Sequence, residues 1–475
     1  MLFSSLEFLF LFLPVTLILY FALPKRGRNT VLLISSLVFY AWGGPPFLIL
    51  MVLTVLMDYG FGRLLYKFRD AARAKKRILV LAIVANLLLL AFFKYTDFLI
   101  ESLARIPAFS DLKPLGITLP IGISFYTFQA LSYVIDVYRG DAEVQRNPFR
   151  FGLYVSLFPQ LIAGPIVRYK DVDAELSDRS HTLSNAANGF ITFTVGLAKK
   201  VLLANSFGEL WQNAYRMPGN EQSVLMAWFG IAAFALQIYF DFSGYSDMAI
   251  GLGRMFGFHF LENFAYPYTA RSITEFWRRW HISLSTWFRE YVYIPLGGNR
   301  KGSARTYLNL LIVWALTGIW HGASWNFLLW GLYYFLLLVL EKAFFGKLLD
   351  RLPRAVGHIY AIFMILIGWL IFAFDGSDTA LLFSDGVAYF LRMFGVGSAG
   401  FVSGVDLYEI LRNGILIVIA VIACLPMPRR LYYRLYGRHS GGMQIFSLVA
   451  VLFLLILSTA YLVDSSYNPF LYFRF

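Results

Sequence analysis

A single cysteine, Cys424, stands in 475 residues. No intramolecular disulfide can form, and no thiolate cage can hold a metal. Charged residues are also scarce, at 15% of the chain, against roughly 25% in ordinary soluble domains. Acids are the scarcer sign: 28 Asp and Glu face 41 Lys and Arg, for a net charge of +13. The first apolar stretch has no basic run before it and no Ala-x-Ala-like site after it, so it does not read as a signal peptide. Long linkers, low-complexity tracts and convincing repeats are missing too. That leaves one membrane domain over 1–475. No spacing of His, Asp and Glu makes a metal site.

What is present is apolar. Hydrophobic residues make up 59% of the chain and aromatics 18%, with a mean hydropathy of +0.63. A soluble protein averages roughly 45–50% apolar. The composition therefore predicts an all-α polytopic membrane protein whose Phe, Tyr and Trp serve lipid-facing surfaces and interfacial belts. In a soluble protein a charge of +13 suggests nucleic acid. Here loop placement and anionic headgroups account for most of it, and a basic cytoplasmic mouth for an anionic substrate accounts for some of the rest. No nucleic-acid partner is expected.

Apolar stretches run at 7–23, 30–43, 47–66, 78–99, 117–137, 151–167, 187–205, 223–242, 305–321, 325–344, 355–374, 411–427 and 443–463. A helix needs roughly 20 residues to cross a bilayer, so about 11 to 13 membrane segments are expected, the shorter ones re-entrant. Basic loops orient them. Lys25, Arg26 and Arg28 follow the first, and Lys67, Arg69, Arg73, Lys75, Lys76 and Arg77 follow the third. Arg429, Arg430, Arg434 and Arg438 precede the last. All three loops are expected on the cytoplasmic side. The loop 375–410 carries Asp375, Asp378, Asp385, Asp406 and Glu409 against Arg392, and is expected outside. Both termini are then periplasmic.

The region 254–305 is too polar to span and too aromatic for a plain loop. It reads as a polar insertion on the cytoplasmic side. Within it, Trp277, Trp280, Leu284, Trp287 and Tyr291 form a stripe at helical spacing, with Arg278, His281 and Ser285 on another face. This predicts an amphipathic helix over 274–293, at the interface or folded into the bundle. Pro295 and the Gly297–Gly298 pair end it, and a basic turn with Arg300 and Lys301 follows.

His321 is the most informative residue. No other charged side chain lies between Arg305 and Glu341, and an ionisable group at membrane depth is expensive enough to suggest function. Gly318 and Gly322 flank it, so another backbone or a slim ligand can approach the imidazole. A core histidine bonded to a neighbouring helix is the plain alternative.

Several long motifs carry a resemblance. They are the block 237–251 (QIYFDFSGYSDMAIG), the block 274–287 (TEFWRRWHISLSTW), the turn 297–302 (GGNRKG) and the block 318–322 (GIWHG). The segments 3–14 (FSSLEFLFLFLP), 119–126 (LPIGISFY) and 162–165 (IAGP) fit as well. Together they resemble the bacterial branch of the membrane-bound O-acyltransferase (MBOAT) superfamily, and within it the alginate O-acetylase group. The resemblance covers nearly the whole chain. It implies a ring of transmembrane helices around a thin pore, with catalytic histidines at His321 and His281. It also implies acetyl-CoA as a cytosolic donor cosubstrate, with no permanently bound cofactor, and a periplasmic SGNH-type acetyltransferase as partner. The implied setting is the bacterial inner membrane.

The residue chemistry agrees. Transfer to a hydroxyl needs a base with a pKa near ambient pH, and His321 would take the proton. The thioester carbonyl needs a hydrogen-bond donor, which His281 would supply. Arg278, Arg279, Arg289, Arg300 and Lys301 are candidate partners for the phosphates of CoA, with headgroup contacts as the alternative for each. Asp241, Ser285, Gly318, Trp320 and Gly322 are candidate substrate-channel residues. Asp241 and Asp247 cannot face one site on an unbroken helix. Asp241 is expected to pair within the bundle, and Asp247 to approach the cytoplasmic mouth. His181, His259, His358 and His439 read as loop or structural residues. The expected function is an O-acetyltransferase subunit acting on an exported polysaccharide: alginate-like, cellulose or peptidoglycan. The rival is a secondary transporter or export channel, which would more often show paired broken helices and an internal repeat.

Overall fold

The structure, a computed structural model, describes residues 1–162, 164–376, 382–436, 441–464 and 467–471. Asp378, Arg438 and His439 lie outside the described residues. Every regular element among the described residues is helical, as lipid requires of a chain that must close its own backbone hydrogen bonds. Seven helices are long and apolar enough to cross a membrane, or eight if a pair bent by 69° counts as one broken span. This is a multi-pass membrane protein.

Seven or eight is fewer than the segments read from hydropathy, because several of those form short elements. The stretch at 7–23 becomes a π-helical turn, Phe8–Phe12, running into α1 (Leu13–Ala22). The second becomes α2 (Lys25–Ala41), whose first turn is basic. After α3 (Pro45–Lys67) and α4 (Ala72–Ala104) come the 17 residues of α5 (Ile123–Arg139). The stretch at 151–167 is split into α6 (Pro148–Ser156) and α7 (Phe158–Leu161). Pro159 there sits in the first turn of a new helix, where its missing N–H costs nothing. Beyond α8 (Tyr169–Ser177), the stretch at 305–321 forms a 19-residue helix that Arg305, Asn309 and His321 make less apolar.

The described chain forms two compact units. The first comprises Met1–Phe193 and Tyr245–Leu261. Its centre is aromatic, with Phe3 stacked on Tyr245 at 4.4 Å. Asn86 donates to the buried Asp58 at 2.7 Å. The histidines of this unit have structural partners. His181 lies 2.7 Å from the Tyr20 hydroxyl and 3.2 Å from Arg28, and His259 pairs with Glu175 at 2.7 Å.

The second unit comprises Thr194–Gly244 and Glu262–Phe475. The chain passes between the units within α9 (Leu183–Ala198) and α11 (Val224–Met255). A π-helical turn, Lys199–Ala204, joins α9 to α10 (Asn205–Arg216) in one 34-residue span. The amphipathic stretch then breaks in two, as α12 (Ile273–Arg279) and α13 (Ile282–Phe288), continued by a π-helical turn, Arg289–Tyr293. One unbroken helix over 274–293 is not what forms. The break falls at His281, which takes a left-handed backbone with φ of 45°. Trp277, Trp280, Leu284, Trp287 and Tyr291 are all buried, so the stripe packs inside the unit rather than lying on a surface.

α14 (Ser303–His321) and α15 (Trp325–Leu340) form a tight hairpin. A Cβ on Gly318 would lie 2.4 Å from the Phe327 carbonyl oxygen, and one on Gly331 2.3 Å from that of Trp314. Only glycine lets the two backbones approach this closely. The unit continues through α16 (Gly346–Arg351), α17 (Arg354–Ala373), α18 (Phe383–Met393) and α19 (Gly404–Arg412). It ends with α20 (Gly414–Ala423), α21 (Met427–Tyr436) and α22 (Gly441–Asp464). His358 of α17 bonds the Ala270 carbonyl at 3.1 Å.

Candidate active site

His321 is the last residue of α14, and the backbone is extended at Gly322 immediately after it. The imidazole is 6% exposed. Three aromatic rings surround it nearly at right angles: Trp320 at 5.1 Å, Trp330 at 4.9 Å and Phe372 at 5.4 Å between ring centres. Perpendicular rings hold an imidazole by edge-to-face contact.

One side of His321 opens on a cavity of about 20 Å³, room for roughly one water molecule. α11 contributes Ile238, Asp241 and Phe242 to its wall, and the α12–α13 connection contributes Trp280. Trp330 comes from α15, Trp369 and Phe372 from α17, and Leu471 from the segment beyond α22. Among the described residues His321 and Asp241 are the ionisable side chains on the wall, and the rest of the lining is aliphatic or aromatic.

Asp241 is held at this wall by a buried ion pair. Its Oδ1 lies 2.8 Å from Lys200 Nζ, and both side chains are almost wholly enclosed. Lys200 belongs to the π-helical turn of the 34-residue span. Such turns are frequent at functional sites. α11 runs unbroken past Gly244, and Asp247 is half-buried away from the cavity wall.

His281 does not line the cavity. It stands one ring back, 4.6 Å from Phe242 and 6.1 Å from Trp320 between centres. Asn263 holds the break around it. The Asn263 side-chain oxygen lies 3.3 Å from His281 Nδ1 and accepts from the Ser283 N–H and hydroxyl. The Asn263 carbonyl accepts the Ile282 N–H. His281 is 1% exposed, and burial pushes its imidazole down to about 3. It is therefore neutral, with one ring nitrogen able to donate.

The remaining candidates separate by position. Trp320 is buried between the two histidines. Gly318 and Gly322 face Phe327, so what approaches them is a neighbouring backbone and ring. Ser285 is exposed on α13, away from the cavity wall. Arg278, Arg289, Arg300 and Lys301 are exposed, whereas Arg279 is tied to Glu275 at 2.6 Å. None of these basic residues touches the cavity wall. Sequence reading passed over Lys200, although the argument that singled out His321 applies equally to a lysine in an apolar stretch. Trp330, Trp369, Phe372 and Leu471 carry no local signal. Their role comes from helices that converge only in the folded unit.

A helical membrane protein with a histidine in a small aromatic-walled cavity fits an enzyme of acyl transfer, and the sequence comparison assigns the class. The chain belongs to the membrane-bound O-acyltransferase family, whose pattern it matches over residues 145–374, and it is a membrane O-acyltransferase. Within the family it is similar to a probable alginate O-acetylase of Pseudomonas putida, 39% identical over 500 residues and covering 100% of both chains. It is similar to a probable alginate O-acetylase of Azotobacter vinelandii, 44% identical over 383 residues, or 80% of this chain and 76% of that one. A peptidoglycan O-acetyltransferase of Helicobacter pylori is 34% identical over 416 residues, covering 80% of this chain and 78% of the relative.

Proposed function

We propose that this enzyme takes acetyl groups from cytosolic acetyl-CoA and passes them across the bacterial inner membrane for O-acetylation of an exported, alginate-like polysaccharide. A periplasmic SGNH-type acetyltransferase completes the transfer. The observation that carries this reading is His321 on the wall of a small, mainly apolar cavity in a member of an O-acyltransferase family. The alginate assignment follows the names of the relatives that match most of the chain.

His321 accepts the proton of the acceptor hydroxyl as its oxygen attacks the thioester carbonyl. The C–O bond forms, the C–S bond breaks, and the thiolate of CoA leaves and takes up the proton. His281 acts through the Trp320 and Phe242 side, as a neutral donor that steadies charge on the thioester oxygen or holds the rings that shape the cavity. Arg278, Arg289, Arg300 and Lys301 are exposed and meet the phosphates of CoA at the cytoplasmic mouth. Both termini face the periplasm.

The test is acetyl-CoA cleavage by the purified protein. Wild-type protein should release CoA, and His321→Ala should fold and bind CoA but release it at least ~100-fold more slowly, the scale of a lost general base. Equal release by a well-folded variant removes His321 from the chemistry.

A further inference from the structure

Residues 467–471 do not trail away from α22. Phe470 and Leu471 are buried, and polar groups hold the segment along its length. The Leu471 N–H donates to Asp241 Oδ2 at 2.9 Å. Lys200 Nζ donates to the Pro469 carbonyl and, at 2.8 Å, to Asn205 Oδ1. Asn205 in turn donates to the Asn468 side chain at 3.2 Å. An ion pair buried in a spanning helix is expensive and is not retained for stability alone. Here each partner spends a second hydrogen bond on the same short segment.

That segment puts Leu471 on the cavity wall together with His321. The space left is about 20 Å³. That is room for roughly one water-sized group, about the size of the methyl of an acetyl group, and a longer acyl chain needs further room of the same kind beside Leu471. Trp280, Trp330 and Trp369 belong to packed helices or the turn between them. Among the described residues of the wall, Leu471 alone belongs to a segment held there by hydrogen bonds to side chains.

We propose that Leu471 is a specificity-determining residue that limits the transferred acyl group to two carbons, and that Lys200 and Asp241 are positioning residues that seat it. The proposal rests on the acyl-CoA reading above.

Two measurements on the full-length protein test it. The first compares cleavage of acetyl-, propionyl- and butyryl-CoA. One methylene too many in an apolar pocket costs roughly 10–200-fold in kcat/KM, so wild type should prefer acetyl over butyryl at least tenfold. Leu471→Ala should shrink that ratio at least tenfold. An unchanged ratio in a variant that still cleaves acetyl-CoA overturns the length limit. The second measurement does not depend on activity. Leu471→Cys is placed in a Cys424→Ser background and labelled with a maleimide. Labelling should be at least tenfold faster when Lys200→Met and Asp241→Leu are added together, a pair that leaves no lone buried charge to unfold the protein. Equal labelling overturns the seating. A wild-type protein inert to all three thioesters removes the donor reading and the length limit with it, and labelling then still decides the seating.

Discussion

The Glu341 carboxylate accepts the N–H of Ile273 at 2.6 Å, and its second oxygen accepts the Thr274 N–H at 2.8 Å. Glu341 is buried and lies 68 residues along the chain from Ile273. The start of α12 carries donors that the helix itself cannot satisfy, and an anion there also meets the positive end of the helix dipole. A carboxylate just beyond the end of α15 thus fixes the helix that leads into the break at His281.

Removing that carboxylate should loosen the whole connection. Glu341→Ala leaves the buried Ile273 N–H, the part-buried Thr274 N–H and the Thr274 hydroxyl without their acceptor, at a cost of about 2–3 kcal/mol. Glu341→Gln keeps one accepting oxygen and should lose less. Thermal unfolding in detergent ranks them wild type, Gln, Ala. An Ala variant as stable as wild type would refute the role given to this contact.

The membrane class and the position of His321 were legible in the sequence because both depend on local composition. Hydropathy marks a segment as apolar, and a lone ionisable residue stands out inside it. The break at His281 was not legible. The spacing of Trp277, Trp280, Leu284 and Trp287 fits one continuous helix, and nothing in those residues announces that Asn263 will stabilise a left-handed turn at His281. Which of the about 11 to 13 expected membrane segments are long enough to cross was not legible from hydropathy either. α5 lies in one of the apolar stretches but forms a helix of 17 residues that carries Gln129, Asp136 and Arg139, shorter and more polar than the helices able to cross. Leu471 was invisible to pattern, since its position depends on Lys200 and Asp241, more than 200 residues away in sequence.

The exposed basic turn should act on donor affinity rather than on chemistry. Arg300 and Lys301 are exposed and do not line the cavity. Arg300→Glu and Lys301→Glu should therefore raise the KM for acetyl-CoA several-fold while changing kcat little. The effect should fade at high salt, as exposed charge interactions do. A fall in kcat at constant KM would place these residues in the chemistry instead. Periplasmic labelling of Arg300→Cys by an impermeant reagent would contradict the cytoplasmic orientation.

The acidic segment expected outside is the docking surface we propose for the periplasmic acetyltransferase, and point changes rather than deletion test it. Asp406 is buried, caps α19 through Ser403 and accepts from Ser223. Gly400 and Phe401 supply carbonyls to the first N–H groups of α11, at Val224 and Leu225. A deletion would therefore disturb the helix that carries Asp241. Phe401, Tyr408 and Leu411 are 77%, 61% and 78% exposed, and a transient contact of about 1,200 Å² or less is enough for docking. Phe401→Asp with Leu411→Asp should lower polymer acetylation and co-purification of the SGNH-type partner while sparing acetyl-CoA cleavage. Unchanged co-purification would move docking to another surface.

His281 gives the sharpest pH test. Burial holds its imidazole at about 3, against an ordinary value of 6.5. Between those values the unfolded chain takes up a proton that the folded chain refuses. This contribution to stability is therefore whole above pH ~6.5 and is lost as pH falls toward ~3. His281→Asn removes the titrating group and keeps an amide donor, and asparagine tolerates the left-handed backbone better than most residues. Its melting temperature should fall less between pH 7 and pH 4.5 than that of wild type. At pH 7 it should also keep more transfer activity than His281→Ala, which offers no donor. Both histidine variants losing activity equally, with wild-type pH dependence of melting retained, would show that His281 neither donates in the site nor titrates on unfolding.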